Sequence, residues 1–216
     1  MTSKHADLII FDMDGTLVDS GKDIVSSVNF TLKNIGLKEK SREEVLSYVG
    51  TGVEDLIKKS LGKDGIGIFE KALSVFESHH TKHANDTTLL YPGVRETLEY
   101  FKSKKKVIVT NRKLKYALVT LKGLGIDKYF EHVEGADDIL CRKPSSCPLD
   151  KIISMFNINK NSCVIVGDMD IDILSGKNAG IMTCGVTYGI GKKQEIIKAA
   201  PDFIIDNMLE LKDLIA

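Results

Sequence analysis

Short apolar runs, each closed by glycine or polar residues, recur along this chain and alternate with segments of helical period. Leu8-Ile9-Ile10-Phe11 is the first and Val107-Ile108-Val109-Thr110 the second. Cys163 to Gly167, Met182 to Val186, and Phe203-Ile204-Ile205 follow, with His132-Val133-Glu134 a weaker candidate. Continuous apolar runs of this length suit strands buried on both faces, as in a parallel sheet. Between them Val94, Leu98 and Phe101 recur at spacings of 4 and 3, as do Leu114, Ala117, Leu118, Leu121 and Leu124, and Leu149, Ile152, Ile153 and Phe156. These read as amphipathic helices. Strands alternating with helices imply right-handed βαβ units and an α/β fold on a parallel sheet.

One connection breaks the alternation. From Leu17 to Leu90 runs a stretch of 74 residues without a strand-like run. Connections in α/β units are usually about 2–6 residues, so this excursion must fold by itself. Its apolar positions have helical spacing: Ile24, Val28, Leu32, Ile35; Val45, Leu46, Val49; Val53, Leu56, Ile57, Leu61; Phe69, Leu73, Phe76. Gly36, Gly50-Thr51-Gly52 and Gly62 punctuate them, and Tyr91-Pro92-Gly93 forms the return hinge. The reading is a core of residues 1–16 and 91–216 and an inserted α-helical domain of residues 17–90.

Thirty Lys+Arg balance thirty Asp+Glu, so charge gives no case for nucleic acid or an anionic membrane as partner. No apolar run approaches the roughly 20 residues needed to span a bilayer, and Asp7, Asp12 and Asp14 interrupt any apolar leader segment near the start. Cys141, Cys147, Cys163 and Cys184 show no CxxC spacing and read as reduced thiols of a cytoplasmic protein.

Parallel sheets place ligands at the carboxyl ends of their strands. The first strand ends in Asp12-Met13-Asp14-Gly15-Thr16, the second in Thr110-Asn111, and the third strong one in Gly167-Asp168-Met169-Asp170-Ile171-Asp172. A free Asp has a pKa near ~3.9, so Asp12 is read as ionised at neutral pH. Three acids within five residues repel one another unless a cation is present, and oxygen-rich ligation suits a hard ion such as Mg²⁺. Thr110 and Asn111 offer donors to an anionic oxygen, and Arg142-Lys143-Pro144 adds a cation. A nucleophilic carboxylate, an acid/base, phosphate donors, a cation and a metal site together make an inventory for phosphoryl transfer.

On these residues the chain resembles the haloacid-dehalogenase-like phosphatases, and within them the phosphoglycolate-phosphatase-like branch. The resemblance rests on Asp12 to Ser20, Tyr91-Pro92-Gly93-Val94, Val109-Thr110-Asn111, Lys143-Pro144, and Gly167-Asp168 with Asp172. It implies a Rossmann-like core with an α-helical cap. It implies Asp12 as nucleophile, Asp14 as general acid/base and Lys143 as the cation offsetting Asp12. Mg²⁺ would be held by Asp12, the Asp14 carbonyl, Asp168 and, through water, Asp172. Met13, Thr110, Asn111 and Lys143 would bind the phosphoryl group, and Gly50, Thr51 and Gly52 would lie on the cap loop facing substrate. The partner implied is a small phosphorylated metabolite, acted on by a monomer or homodimer. The leading substrate is 2-phosphoglycolate; pyrophosphate, a sugar phosphate or a nucleotide are alternatives. Ile24 stands where mutase relatives carry a cap histidine, which disfavours a phosphomutase. Asp14 disfavours the dehalogenase and phosphonatase branches. A member without catalysis that binds phosphate or a protein is the remaining alternative. The sequence departs from the family in Lys143-Pro144-Ser145-Ser146-Cys147-Pro148, and Asp170 is read as solvated. His79, His80 and His83 read as a solvated helix face, Lys104 to Lys106 as cations at a helix end, and Gly189-Ile190-Gly191 as turn chemistry.

Overall fold

A computed structural model describes residues 3–216, without the side chains of 64 and 66. Among the described residues eight strands form: β1 (Leu8–Phe11), β2 (Val18–Asp19), β3 (Leu89–Leu90), β4 (Lys105–Val109), β5 (His132–Glu134), β6 (Cys163–Gly167), β7 (Met182–Val186) and β8 (Phe203–Ile205). Six of them make one parallel sheet in the order β5-β4-β1-β6-β7-β8, which establishes the α/β fold with a parallel sheet. β2 and β3 form a separate two-stranded sheet. They are two residues each, too short to show as apolar runs.

The alternation of side chains along a strand divides the sheet's residues between two cores. Ile9, Phe11, Ile108, Val164 and Val166 join one, with Val94 and Leu98 of α5 (Val94–Tyr100) and Ala117 and Leu121 of α6 (Leu114–Gly123). Leu8, Ile10, Val107, Val109, Cys163 and Ile165 join the other, with Leu149, Ile152 and Ile153 of α7 (Cys147–Phe156). Each such aliphatic side chain, fully buried, stabilises the fold by about 1.5–3 kcal/mol. β1 lies between β4 and β6, with Phe11 level with Ile108 and Val166. The chain segments leaving β4, β1 and β6 are therefore neighbours.

The chain divides into two compact units, residues 1–19 with 90–216, and residues 20–89. The second contains α1 (Gly21–Asn34), α2 (Arg42–Leu46), α3 (Val53–Leu61) and α4 (Phe69–His83). Ile24, Val28, Leu32, Val45, Leu56, Ile57, Leu61, Ala72 and Phe76 form its buried core. Asp23, at the start of α1, accepts four hydrogen bonds of 2.7–3.0 Å from the backbone N–H groups and hydroxyls of Thr87 and Thr88. Burial pushes its pKa up, but these bonds outweigh burial and hold it below the usual range.

The histidines do not all face water. His80 is buried, its Nδ1 3.0 Å from Ser27 Oγ and its ring stacked on Phe76. His79 also reaches Ser27, at 3.1 Å. Lys104 to Lys106 also differ from the sequence reading. The last two belong to β4, and Lys106 is buried with its Nζ donating to the carbonyls of Phe101 and Lys104 at 2.6 and 2.8 Å. It still meets the carbonyls at the end of α5, from the strand instead of the helix. Asp170 is half-buried in the first turn of α8 (Asp170–Ala179).

The thiol reading needs correction. Cys163 and Cys184 are free and buried, but Cys141 and Cys147 are joined in a disulfide, with Cα atoms 5.2 Å apart. No CxxC signal marks the pair, because the chain turns back on itself across six positions. Closing so short a loop lowers the entropy of the unfolded chain by an amount worth about 2 kcal/mol. The urea midpoint of the oxidised protein is expected to fall by that equivalent when a dithiol reductant is added. Coincident curves with and without reductant would show that the bridge contributes nothing. Among the described residues no helix is long and apolar enough to cross a membrane.

Candidate active site

Asp12 follows β1 directly, and Asp168 follows β6. Asp172 lies two residues into α8, where its Oδ2 accepts from the Met169 N–H at 3.0 Å. All three are buried, and each offers a carboxylate oxygen within 4.8 Å of the others'. Lys143 lies among them, almost wholly buried. Its three N–H donors go to Asp12 Oδ1 at 2.6 Å, Asp172 Oδ1 at 2.6 Å and the Val109 carbonyl at 2.8 Å. Asn111 fixes the lysine's backbone from both sides: its Nδ2 donates to the Lys143 carbonyl at 2.9 Å, and its Oδ1 accepts from the Lys143 N–H at 3.0 Å. The peptide between Lys143 and Pro144 is cis.

Asp168 is held by groups that sequence reasoning did not assign. Thr16 Oγ1 donates to its Oδ1 at 3.0 Å, and the N–H groups of Ile190 and Gly191 donate to its Oδ2 at 2.8 and 2.9 Å. A carboxylate offers about four lone-pair positions, so these three bonds leave room for one further ligand. The close approach requires glycine. Gly15 has φ +90°, and a Cβ there would stand 2.1 Å from Asp168 Oδ2; one on Gly189 would stand 2.3 Å from the Gly15 carbonyl. The Gly189-Ile190-Gly191 turn thus serves the site directly.

Asp14 pairs with Arg112, whose Nη1 donates to Asp14 Oδ1 at 2.8 Å. The guanidinium side chain is 6% exposed and the carboxylate 14%. Thr110 is buried, and its Oγ1 accepts from the Arg112 N–H at 3.1 Å. Met13 puts its side chain in the core, so only its backbone could meet a phosphate. Gly50, Thr51 and Gly52 belong to the second unit and lead into α3, with Gly50 and Gly52 at φ +120° and +101°.

The electrostatics follow from burial. Three carboxylates face one ammonium, two negative charges in excess if all ionise. Burial pushes the Asp12 carboxyl well above the usual range; Lys143 pulls against it, and Asp172 and Asp168 add to the push. Asp168 is pushed up to about 7, first by burial and then by Asp172, against the pull of its three hydrogen bonds. Burial alone would lower the Lys143 pKa, but the charges of Asp12 and Asp172 outweigh it and raise it. The ordinary carboxylate pKa used for Asp12 in the sequence reading therefore does not carry over unchanged into this buried site. A divalent cation among these oxygens would remove the excess charge, and an all-carboxylate donor set suits a hard ion.

The sequence profile of haloacid dehalogenase-like hydrolases matches residues 9–186. The chain belongs to this family. A phosphoglycolate phosphatase of Vibrio parahaemolyticus serotype O3:K6 is 32% identical over 225 residues, covering 100% of this chain and 99% of its own. One from Aquifex aeolicus is 36% identical over 209 residues, covering 96% and 95%. Among solved structures, a predicted phosphoglycolate phosphatase from Haemophilus somnus 129pt superposes with a TM-score of 0.90 at 28% identity, covering 96% of this chain and 97% of that one. In this haloacid dehalogenase-like hydrolase, as in the sequence reading, the acidic residues stand at the carboxyl ends of adjacent parallel strands.

Proposed function

We propose that this protein is a Mg²⁺-dependent phosphatase that hydrolyses a small phosphate monoester, foremost 2-phosphoglycolate, through an aspartyl-phosphate on Asp12. The observation that carries the chemistry is the group of Asp12, Asp168 and Asp172 around Lys143 at neighbouring strand ends. The full-length relatives named phosphoglycolate phosphatase support the substrate.

Mg²⁺ would be held by Asp12, Asp168 and the Asp14 carbonyl, with Asp172 supporting it through water, and when bound would draw charge from the phosphoryl oxygens. Lys143 holds Asp12 Oδ1, while Oδ2 accepts no hydrogen bond among the described residues. That oxygen attacks phosphorus. The bond from phosphorus to the ester oxygen breaks, and the departing oxygen takes a proton from Asp14. Asp14, now a carboxylate, takes a proton from the water that attacks the phosphoenzyme, releasing phosphate and restoring Asp12. All three Lys143 donors are engaged in the structure, so contact with the phosphoryl group requires exchanging one of them. Asn111 serves by fixing Lys143, and Thr110 stands beside it at the tip of β4. Residues 20–89 would supply a cap that excludes bulk water during chemistry, with Gly50, Thr51 and Gly52 as its proposed substrate residues. The proposed setting is the cytoplasm. Thiol buffers there would reduce Cys141 and Cys147, and the bridge then belongs to the oxidised protein.

The test is phosphate release from 2-phosphoglycolate, pyrophosphate, sugar phosphates and nucleotides, with Mg²⁺ and with chelator. A metal-dependent kcat/KM above ~10⁴ M⁻¹s⁻¹ for 2-phosphoglycolate alone would establish the substrate. Release that survives chelation would refute the metal assignment.

A stability measurement tests the metal separately. Asp168 holds its proton up to about pH 7 in the folded protein and only near the ordinary carboxylate value when unfolded. Its contribution to metal-free stability is therefore present at acid pH and lost as pH rises through 7. His79 works the other way, since burial lowers its pKa, so the response to metal is the cleaner readout. Mg²⁺ must displace the Asp168 proton at pH 5.5 but not at pH 8. It is expected to raise the melting temperature distinctly more at pH 8. Equal shifts at both pH values would refute Asp168 as a ligand.

A further inference from the structure

We infer that Arg112 binds a carboxylate on the leaving group, and so gives this enzyme a preference for phosphate esters of hydroxy acids over esters with neutral tails. The inference rests on the proposed phosphatase reading and adds the residue that reads the rest of the substrate.

The two cations of the site stand at different carboxylates. Lys143 is bonded to Asp12 and Asp172, where the phosphoryl group arrives. Arg112 is bonded to Asp14, where the leaving group departs. Its place is fixed: its N–H donates to Thr110 Oγ1 at 3.1 Å, and its carbonyl accepts from the Ala136 N–H at 3.0 Å. Its side chain is nearly closed off from water. A guanidinium so enclosed needs anionic partners, and its planar fork matches a carboxylate better than an ammonium does.

Reach follows from the chemistry. To protonate the ester oxygen, Asp14 must come within about 2.6–3.2 Å of it. Arg112 Nη1 is 2.8 Å from Asp14. The ester oxygen is thus no farther from Arg112 than two hydrogen bonds and one carboxyl group. In an ester of 2-hydroxyacetic acid the carboxylate carbon lies two bonds beyond that oxygen. A substrate anionic at both ends can then lie with its phosphoryl end toward Lys143 and its carboxylate toward Arg112.

The experiment compares 2-phosphoglycolate with 2-hydroxyethyl phosphate, which replaces the carboxylate by a neutral hydroxymethyl group. Both are measured on the wild-type holoenzyme and on the Arg112→Gln and Arg112→Lys variants, with melting curves to verify folding. The wild type is expected to favour 2-phosphoglycolate. Arg112→Gln should lower kcat/KM for 2-phosphoglycolate at least about 30-fold more than for the neutral ester, mostly through KM. Losing one partner of a buried charge pair has effects of that size. Arg112→Lys should restore part of the preference, since charge returns without the fork. If both esters lose equally in Arg112→Gln, Arg112 acts only by holding Asp14, and the inference is overturned. A wild type that hydrolyses both esters without preference overturns it too, but leaves the phosphatase reading standing. Release from neither ester removes 2-phosphoglycolate as the substrate and the inference with it, while release from another phosphate ester of the panel would keep the phosphatase reading. Should Arg112→Gln not fold, the Arg112→Lys comparison decides: an unchanged ratio of the two esters overturns the inference.

Discussion

Asp12→Asn is expected to abolish phosphate release, with kcat falling by about 10⁴–10⁶, the range seen when a catalytic nucleophile is removed. An amide cannot form the phosphoenzyme at a useful rate. The substitution keeps the side chain's size, and the amide oxygen can still accept from Lys143, which now bonds Asp12 Oδ1 at 2.6 Å. Folding should therefore survive, since the buried cluster loses one of its repelling charges. Two measurements check the result. Steady-state release gives the loss in kcat. Acid quenching with a phosphorus-labelled substrate should leave label on the wild-type protein and none on Asp12→Asn. Near-normal turnover in the variant would refute the nucleophile, and label retained on the variant would place it elsewhere.

The contrast between what the sequence makes legible and what it hides follows the reach of each interaction. The strands at 8–11, 163–167, 182–186 and 203–205 could be read because their apolar runs are local and unbroken. Asp12, Asp168 and Asp172 could be read because parallel strands bring their carboxyl ends together. Asn111 was legible as a polar strand tip, but its bonds to the Lys143 backbone join positions 32 residues apart and have no local mark. Thr16, Gly189 and Gly191 were visible in their motifs, but their roles toward Asp168 were not, because they act on it across 152, 21 and 23 positions, through one hydroxyl, close backbone contact and a backbone N–H. His80 turned inward because Ser27 on α1 offered a polar partner and Phe76, one turn earlier on the same helix α4, an aromatic face. Compartment and spacing argue against a bridge between Cys141 and Cys147, and neither shows that the loop around Lys143 folds back to bring them together. Composition and periodicity specify the scaffold; contacts that tune the site appear only once the chain is closed.

Asp14→Asn is expected to lower kcat by about 10²–10⁴, the usual contribution of general acid–base catalysis. Its size should depend on the leaving group, and that dependence separates chemistry from structure. An alkoxide departing from an alkyl phosphate is a strong base and needs the proton, whereas p-nitrophenolate departs without one. The loss should approach the upper end of the range on an alkyl phosphate and be several-fold to tenfold smaller on p-nitrophenyl phosphate. The amide of this variant retains an oxygen that can accept from Arg112, so the 2.8 Å contact can persist without its charge. A purely structural effect would weaken both substrates alike, because it would disturb the same Asp12 and Lys143. The second half-reaction gives an independent check. Without a base to take the proton from water, the phosphoenzyme on p-nitrophenyl phosphate should accumulate, with a burst of nitrophenolate ahead of slow phosphate release. Equal losses on both substrates and no burst would show that Asp14 neither delivers nor receives the proton, and would leave it a partner of Arg112 alone.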